Sequence, residues 1–96
     1  MTTYHARLMD ADSGSEGAYD FEERDDLLDG TPVRVVRAFF EYVDRAVLNK
    51  RYIDYEINAA FKSGDRGVVT CMGSLHLKGD EGQTPFLLMI SRKGRT

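Results

Sequence analysis

The residues whose types and spacing could do chemistry are few: Asp54 and Glu56, the histidines His5 and His76, and the single cysteine, Cys71. Asp54 and Glu56 fall in residues 52–62, where Ile53, Tyr55, Ile57, Ala59 and Phe61 alternate with Tyr52, Asp54, Glu56, Asn58, Ala60 and Lys62. A side-chain period of two places the first set on one face of a strand and the second on the other. Val69, Cys71, Gly73, Leu75 and Leu77 make the inner set of the next strand. Pairing Phe61 with Val69 then sets Ala59 against Cys71 and Ile57 against Gly73, so that inner residues meet only inner residues.

In that register His76 lies opposite Asp54 on the outer face, with Glu56 beside it. A carboxylate next to an imidazole is the arrangement that orients a general base. The nucleophile is missing: Cys71 points to the opposite face, and Ser74 is only two residues from His76 along the same strand. A surface cross-strand ion pair is therefore the stronger reading, and no catalytic residue is assigned. Two histidines without a cysteine or acid at ligand spacing make a poor zinc site. Residues 10–16 carry the alternating oxygens of a calcium loop. Their glycine, however, stands at the fifth position rather than the sixth, and Phe21 occupies the twelfth, where the bidentate glutamate belongs. A hairpin turn accounts for them better. The acids between Asp20 and Asp29 follow no ligand pattern and read as a solvated charge run. Gly64 and Gly67 sit in a hairpin rather than before a helix, so they form no phosphate loop. Arg92, Lys93 and Arg95 have no interleaved aromatics and are too few for nucleic-acid recognition. No cofactor, metal or nucleic-acid partner is expected.

The elements that must position these residues follow from periodicity. Tyr4, Ala6 and Leu8 alternate with His5, Arg7 and Met9. After turn residues at 12–15, Gly17, Tyr19 and Phe21 alternate with Ala18, Asp20 and Glu22, which gives an N-terminal hairpin. Residues 23–30 form an acidic connector. Thr31 and Pro32 open a helix, with threonine as cap and proline at the first helical position. Val35, Val36, Phe39, Phe40, Val43, Ala46 and Val47 make its apolar stripe. Arg37, Glu41 and Arg45 lie off the stripe at ion-pair spacing, and residues 49–51 end the helix. Hairpin loops are expected at residues 63–67 and 79–82. Phe86, Leu88 and Ile90 complete the inner face, and residues 92–96 form a frayed basic tail. The predicted fold is α+β, in the order β-β-α-β-β-β: one antiparallel sheet of about five strands with a single helix packed on one face, spanning residues 1–96 as one domain.

Composition sets wider bounds. A chain of 96 residues, 42% hydrophobic and 30% charged, has the make-up of a folded globular domain. Nine acids against two bases leave residues 1–30 at −7, while eleven bases against seven acids leave residues 31–96 at +4. These halves are expected to complement each other within one chain. One cysteine excludes an internal disulfide and fits a cytoplasmic location. No apolar run approaches the roughly 18 residues of a membrane span.

The outer face breaks the rule that one side of a sheet is wet. Leu87 and Met89 lie at outer parity on the last strand, Val68 and Met72 on its neighbour, and Ala60 beyond them. Such a patch marks a partner site more often than it is left bare, and the simplest partner is another copy. Two function classes follow. The favoured one is a non-enzymatic interaction or regulatory module that forms a homodimer. The other is a small-molecule binder or enzyme with a pocket between sheet and helix, or at the dimer seam, built from Tyr52, Tyr55, Asp54, Glu56 or His76.

Overall fold

The computed structural model describes residues 1–10, 16–47, 53–63, 67–77 and 82–93. Five strands form one antiparallel sheet: β1 (Thr2–Asp10), β2 (Glu16–Glu23), β3 (Ile53–Lys62), β4 (Val69–Leu77) and β5 (Thr84–Arg92). Their spatial order is β2-β1-β5-β4-β3. The N-terminal hairpin therefore joins the C-terminal meander through β1 and β5, with Ala6 opposite Ile90 and Leu8 opposite Leu88. Among the described residues a single α-helix, α1 (Pro32–Tyr42), crosses one face, which confirms the α+β expectation.

Thr31 starts α1 as its spacing predicts. Its hydroxyl accepts a hydrogen bond from the Arg34 N–H at 3.3 Å, and Pro32 takes the first helical position. Thr31→Ala should therefore lower stability by about 0.5–2 kcal/mol. Pro32→Ala should matter less, because its missing N–H belongs to the first turn, where no helical partner exists. Thermal melting that ranks the two the other way would move the helix start. Val35, Val36, Phe39, Phe40 and Val43 are buried on the stripe. After Tyr42 the helix widens into a π-helical turn, Val43–Val47; the expected end at residues 49–51 lies outside the described residues. The expected Arg37–Glu41–Arg45 ion pairs do not form among the described residues.

The core is an aromatic layer between helix and sheet. Phe39 packs against Phe21, Tyr19 and Phe40, with ring centroids 5.8, 5.8 and 5.3 Å away. Phe40 in turn stacks on Tyr55 at 4.3 Å and meets Phe86 edge-on at 5.4 Å. Contacts of this kind add about 0.5–1.5 kcal/mol each beyond the area they bury. The connector contributes more than its charges suggest. Leu27–Asp29 forms a 3-10 turn that drives Leu27 and Leu28 into the core. Lys62 donates to the Leu28 carbonyl at 2.8 Å, and the Tyr4 hydroxyl donates to the Arg24 carbonyl. Both contacts draw the connector toward the helix side and away from the outer face.

One expected register fails. Tyr55 to Ile57 pair with Leu75 to Gly73 as the alternation requires, but Asn58 is an extra residue on β3. Beyond that bulge Ala59 pairs with Met72, Ala60 with Cys71, Phe61 with Thr70 and Lys62 with Val69. A bulge inserts one residue and reverses every parity after it. Its cause is Gly73. A Cβ built there would lie 1.9 Å from the Glu56 carbonyl oxygen, so only glycine lets the β3 backbone approach this closely. Ala60, expected on the outer face, consequently turns inward to pack on the core. Phe61, expected inside, turns outward.

The tail also begins later than expected. Arg92 closes β5, and Lys93 donates its backbone N–H to the Thr3 carbonyl at 2.9 Å; residues 94–96 lie outside the described residues. The hairpin connections at 11–15, 64–66 and 78–81, including most of the calcium-loop-like run, lie outside them too.

Candidate functional site

The outer face carries two rows that run across the strands, the first apolar and the second mixed. In the first, Met9 on β1, Leu87 on β5, Met72 on β4 and Ala59 on β3 are successive register partners. In the second, one pleat along, Arg7, Met89, Thr70 and Phe61 occupy the same four strands. Large apolar groups in these rows stand open: Met9 is 38% exposed, Met89 43%, Met72 46% and Phe61 53%. Leu87 is half-buried between them. Arg7, Met9, Glu16, Leu87 and Met89 line a shallow depression of about 300 Å³. None of the described residues folds over these rows.

Three of the five expected interface residues, Met72, Leu87 and Met89, lie in the rows. Val68 is half-buried just before β4, and Ala60 faces the core. Met9 and Phe61 were not foreseen as members. Phe61 joins because of the bulge, Met9 because β1 pairs with β5. A glycine inside a strand pattern is the signal that points to a bulge. No local signal announces a pairing between strands some eighty residues apart.

Charged groups border the rows in pairs. Arg7 and Glu16 meet at 2.7 Å. Asp20 is held by His5 at 2.7 Å and by Lys93 at 2.7 Å. The Lys93 hydrogen bond first, and that from His5 second, hold the Asp20 carboxyl below its ordinary value of 3.8. A depressed carboxyl stabilises the fold above its ordinary value and loses that contribution as pH falls through the lowered one, so the border is intact at neutral pH. Asp25 is lowered in the same sense, first by the Thr2 hydroxyl and then by the N-terminal amine. Arg92 donates to the Asp25 carbonyl at 3.1 Å. Lys93–Asp20 and Arg92–Asp25 thus join the basic back to the acidic front within one chain.

The polar candidates do not assemble into a catalytic centre. Asp54 and His76 are register partners, as expected, but the ion pair is not formed. His76 instead turns its Nδ1 to the Gly82 carbonyl at 2.7 Å. A carbonyl only accepts, so Nδ1 is the donor in this contact. Asp54 and Glu56 are exposed, and Ser74 lies opposite Glu56. Tyr55 points through the sheet to the helix side, where it stacks on Phe40, and Tyr52 lies outside the described residues. Residues of the pocket hypothesis are therefore divided between two faces. On the helix side a concavity of about 450 Å³ runs beside α1, with Tyr55, Arg34, Arg37, Glu23 and Glu41 among its walls. Its walls mix both charges, and no nucleophile is paired with a base there.

Cys71 lies fully buried under the helix, opposite Ala60 and Leu88. Burial pushes its thiol up to about 11. The thiolate is the reactive form, so native protein should resist an aromatic disulfide reagent at neutral pH and react fully once unfolded in guanidinium. Rapid labelling without denaturant would contradict the inward placement of Cys71.

Protein-family models, curated proteins and solved structures contain no match to this chain. No described helix is long and apolar enough to cross a membrane. No group of three or more histidine, cysteine or acidic side chains gathers to hold a metal among the described residues.

Proposed function

We propose that this chain is a small non-enzymatic interaction module that self-associates, the outer face of its sheet docking on the same face of a second copy. One observation carries the reading: Met9, Leu87, Met72, Met89 and Phe61 stand on one face across four neighbouring strands, and all but Leu87 are exposed, with only Arg7 and Thr70 as polar members of the same two rows. Burying such a side chain fully is worth about 1.5–3 kcal/mol, whereas an exposed ion pair contributes about 0–1 kcal/mol. The apolar rows therefore dominate the surface energetics of this face.

Three features favour a second copy as the occupant. First, the five strands are 8 to 10 residues long, and at about 4.8 Å between strands and about 3.3 Å per residue they give a face on the order of 700 Å², before side-chain relief is counted. That is the scale of a standard interface, which takes about 800 Å² from each partner, and two such sheets pack about 10 Å apart as a sandwich. Second, at the β1–β2 margin Arg7 is paired with Glu16, and Asp20 with His5 and Lys93, so these charges are satisfied within each copy. Third, strand addition at the edges is disfavoured. Edge strand β2 carries Glu16, Asp20, Glu22 and Glu23, and edge strand β3 is bulged at Asn58 and carries Asp54, Glu56 and Lys62; charges and bulges are what blunt an edge.

Light scattering across a dilution series tests this reading. The expected result is about twice the 10.9 kDa chain mass, with little response to added salt because the contact is apolar. A monomer at high concentration would overturn it. A dimer that dissociates in salt would overturn the apolar seam, and would point to the acidic front of one copy meeting the basic back of another.

A further inference from the structure

We infer that Met9, Met72 and Met89 are sites of reversible sulfur oxidation by hydroperoxides, and that their oxidation releases the self-associated form. This rests on the docking reading above and adds its regulation. All four methionines of the chain are exposed: Met1, at 82%, lies away from the rows, and the other three are the thioethers of the rows themselves. Met9 and Met72 flank Leu87 in one row, and Met89 stands one pleat away. Three thioethers thus surround the centre of the surface that must become dry on docking.

The chemistry is a two-electron oxygen transfer. A sulfur lone pair attacks one peroxide oxygen, the O–O bond breaks, and an S–O bond forms. The transferred oxygen gives up its proton to the departing oxygen, which leaves as water or an alcohol, so that sulfur is oxidised and the peroxide reduced. The product is a polar, chiral sulfoxide where a flexible apolar side chain stood, a change that disrupts methionine-rich interfaces and is undone by enzymatic reduction. The competing sulfur nucleophile is out of reach, since Cys71 is fully buried beneath the helix. Docking and oxidation are mutually exclusive at these residues: sulfurs in a dry seam are shielded, and sulfurs of the separated chain are open.

Peroxide titration of the full chain tests this, with site-resolved mass spectrometry and light scattering on the same samples. Met1 is the internal reference, because its exposure does not depend on docking. The expected result has three parts. Oxidation of Met9, Met72 and Met89 slows several-fold relative to Met1 as the chain is concentrated. The mass falls from dimer to monomer as the three sulfoxides accumulate. The triple variant Met9→Leu/Met72→Leu/Met89→Leu, whose substitutions nearly conserve volume, stays dimeric under peroxide. A wild-type dimer that persists with all three sulfurs oxidised would overturn this inference and leave self-association standing. Equal loss of dimer in wild type and triple variant would also overturn it, by placing the sensitive group elsewhere. A wild-type monomer before any peroxide is added would sink both readings at once. Should the triple variant fail to fold, the concentration-dependent protection relative to Met1 in wild type decides: protection supports the inference, and its absence in a proven dimer overturns it.

Discussion

Gly73→Ala should destabilise the fold by about 1–3 kcal/mol or more, the range for forcing extra atoms into a filled core, and Gly73→Val by more again. An added Cβ would stand 1.9 Å from the Glu56 carbonyl oxygen, 3.0 Å from the Glu56 carbonyl carbon and 3.1 Å from the Phe86 ring. The ring could shift by a few tenths of an ångström. The β3 backbone has no such freedom, because it is tied to β4 on both sides of Asn58. The damage should spread along the sheet, since relieving the clash removes the bulge and with it the parity that places Ala60 inside and Phe61 outside. Guanidinium titration followed by circular dichroism measures the midpoint. A midpoint equal to that of wild type would mean that β3 does not approach Gly73 closely, and the outward placement of Phe61 would fall with it.

The second large effect is on assembly rather than on folding. Leu87→Lys with Met89→Glu places two charges at the middle of the outer face. Each replaces a side chain whose full burial is worth about 1.5–3 kcal/mol, and two-fold symmetry counts each change twice. The expected product is a folded monomer with its circular dichroism and thermal transition kept, because neither side chain reaches the aromatic layer around Phe39. A variant that stays dimeric would show that the seam lies elsewhere. A variant that unfolds would show that this face serves the fold itself. The opposed test is Asp54→Asn with His76→Gln, which alters the far corner of the same face and should leave the mass unchanged.

The local parts of this architecture were legible in the sequence, and the non-local parts were not. Thr31 and Pro32 announce the helix start because capping is chemistry between neighbours in the chain. The alternation from Tyr55 to Ile57 places its side chains correctly for the same reason. Leu27 and Leu28 went unread as core because the six charged residues between positions 22 and 29 mask two adjacent leucines, and a single 3-10 turn has too short a period to register. The bulge at Asn58 reversed β3 from Ala59 to Lys62, since a pattern of period two carries no memory of an inserted residue. Its origin, a backbone passing where a Cβ would be, depends on two strands meeting. The β1–β5 pairing that brings Met9 beside Leu87 spans almost the whole chain, and alternation fixes the face of each strand without naming its neighbour. The outer surface was therefore visible as Met72, Leu87 and Met89, while its continuation through Met9 and Phe61 needed the assembled sheet. The predicted polar pair was half legible: the register put His76 against Asp54, but the competing Gly82 carbonyl comes from a turn whose geometry the sequence does not encode locally.

The central claim, that the methionine-lined face meets its own copy, is tested most directly by nuclear Overhauser contacts in a mixed sample. One half of the protein carries isotope-labelled methionine methyl groups, the other half is unlabelled, and only contacts between copies are recorded. The account predicts cross-copy contacts from the methyls of Met9, Met72 and Met89 to Leu87 and Phe61, and none from Met1. Intermolecular contacts that avoid these three methyls, or their complete absence at a concentration where light scattering reads a dimer, would contradict it.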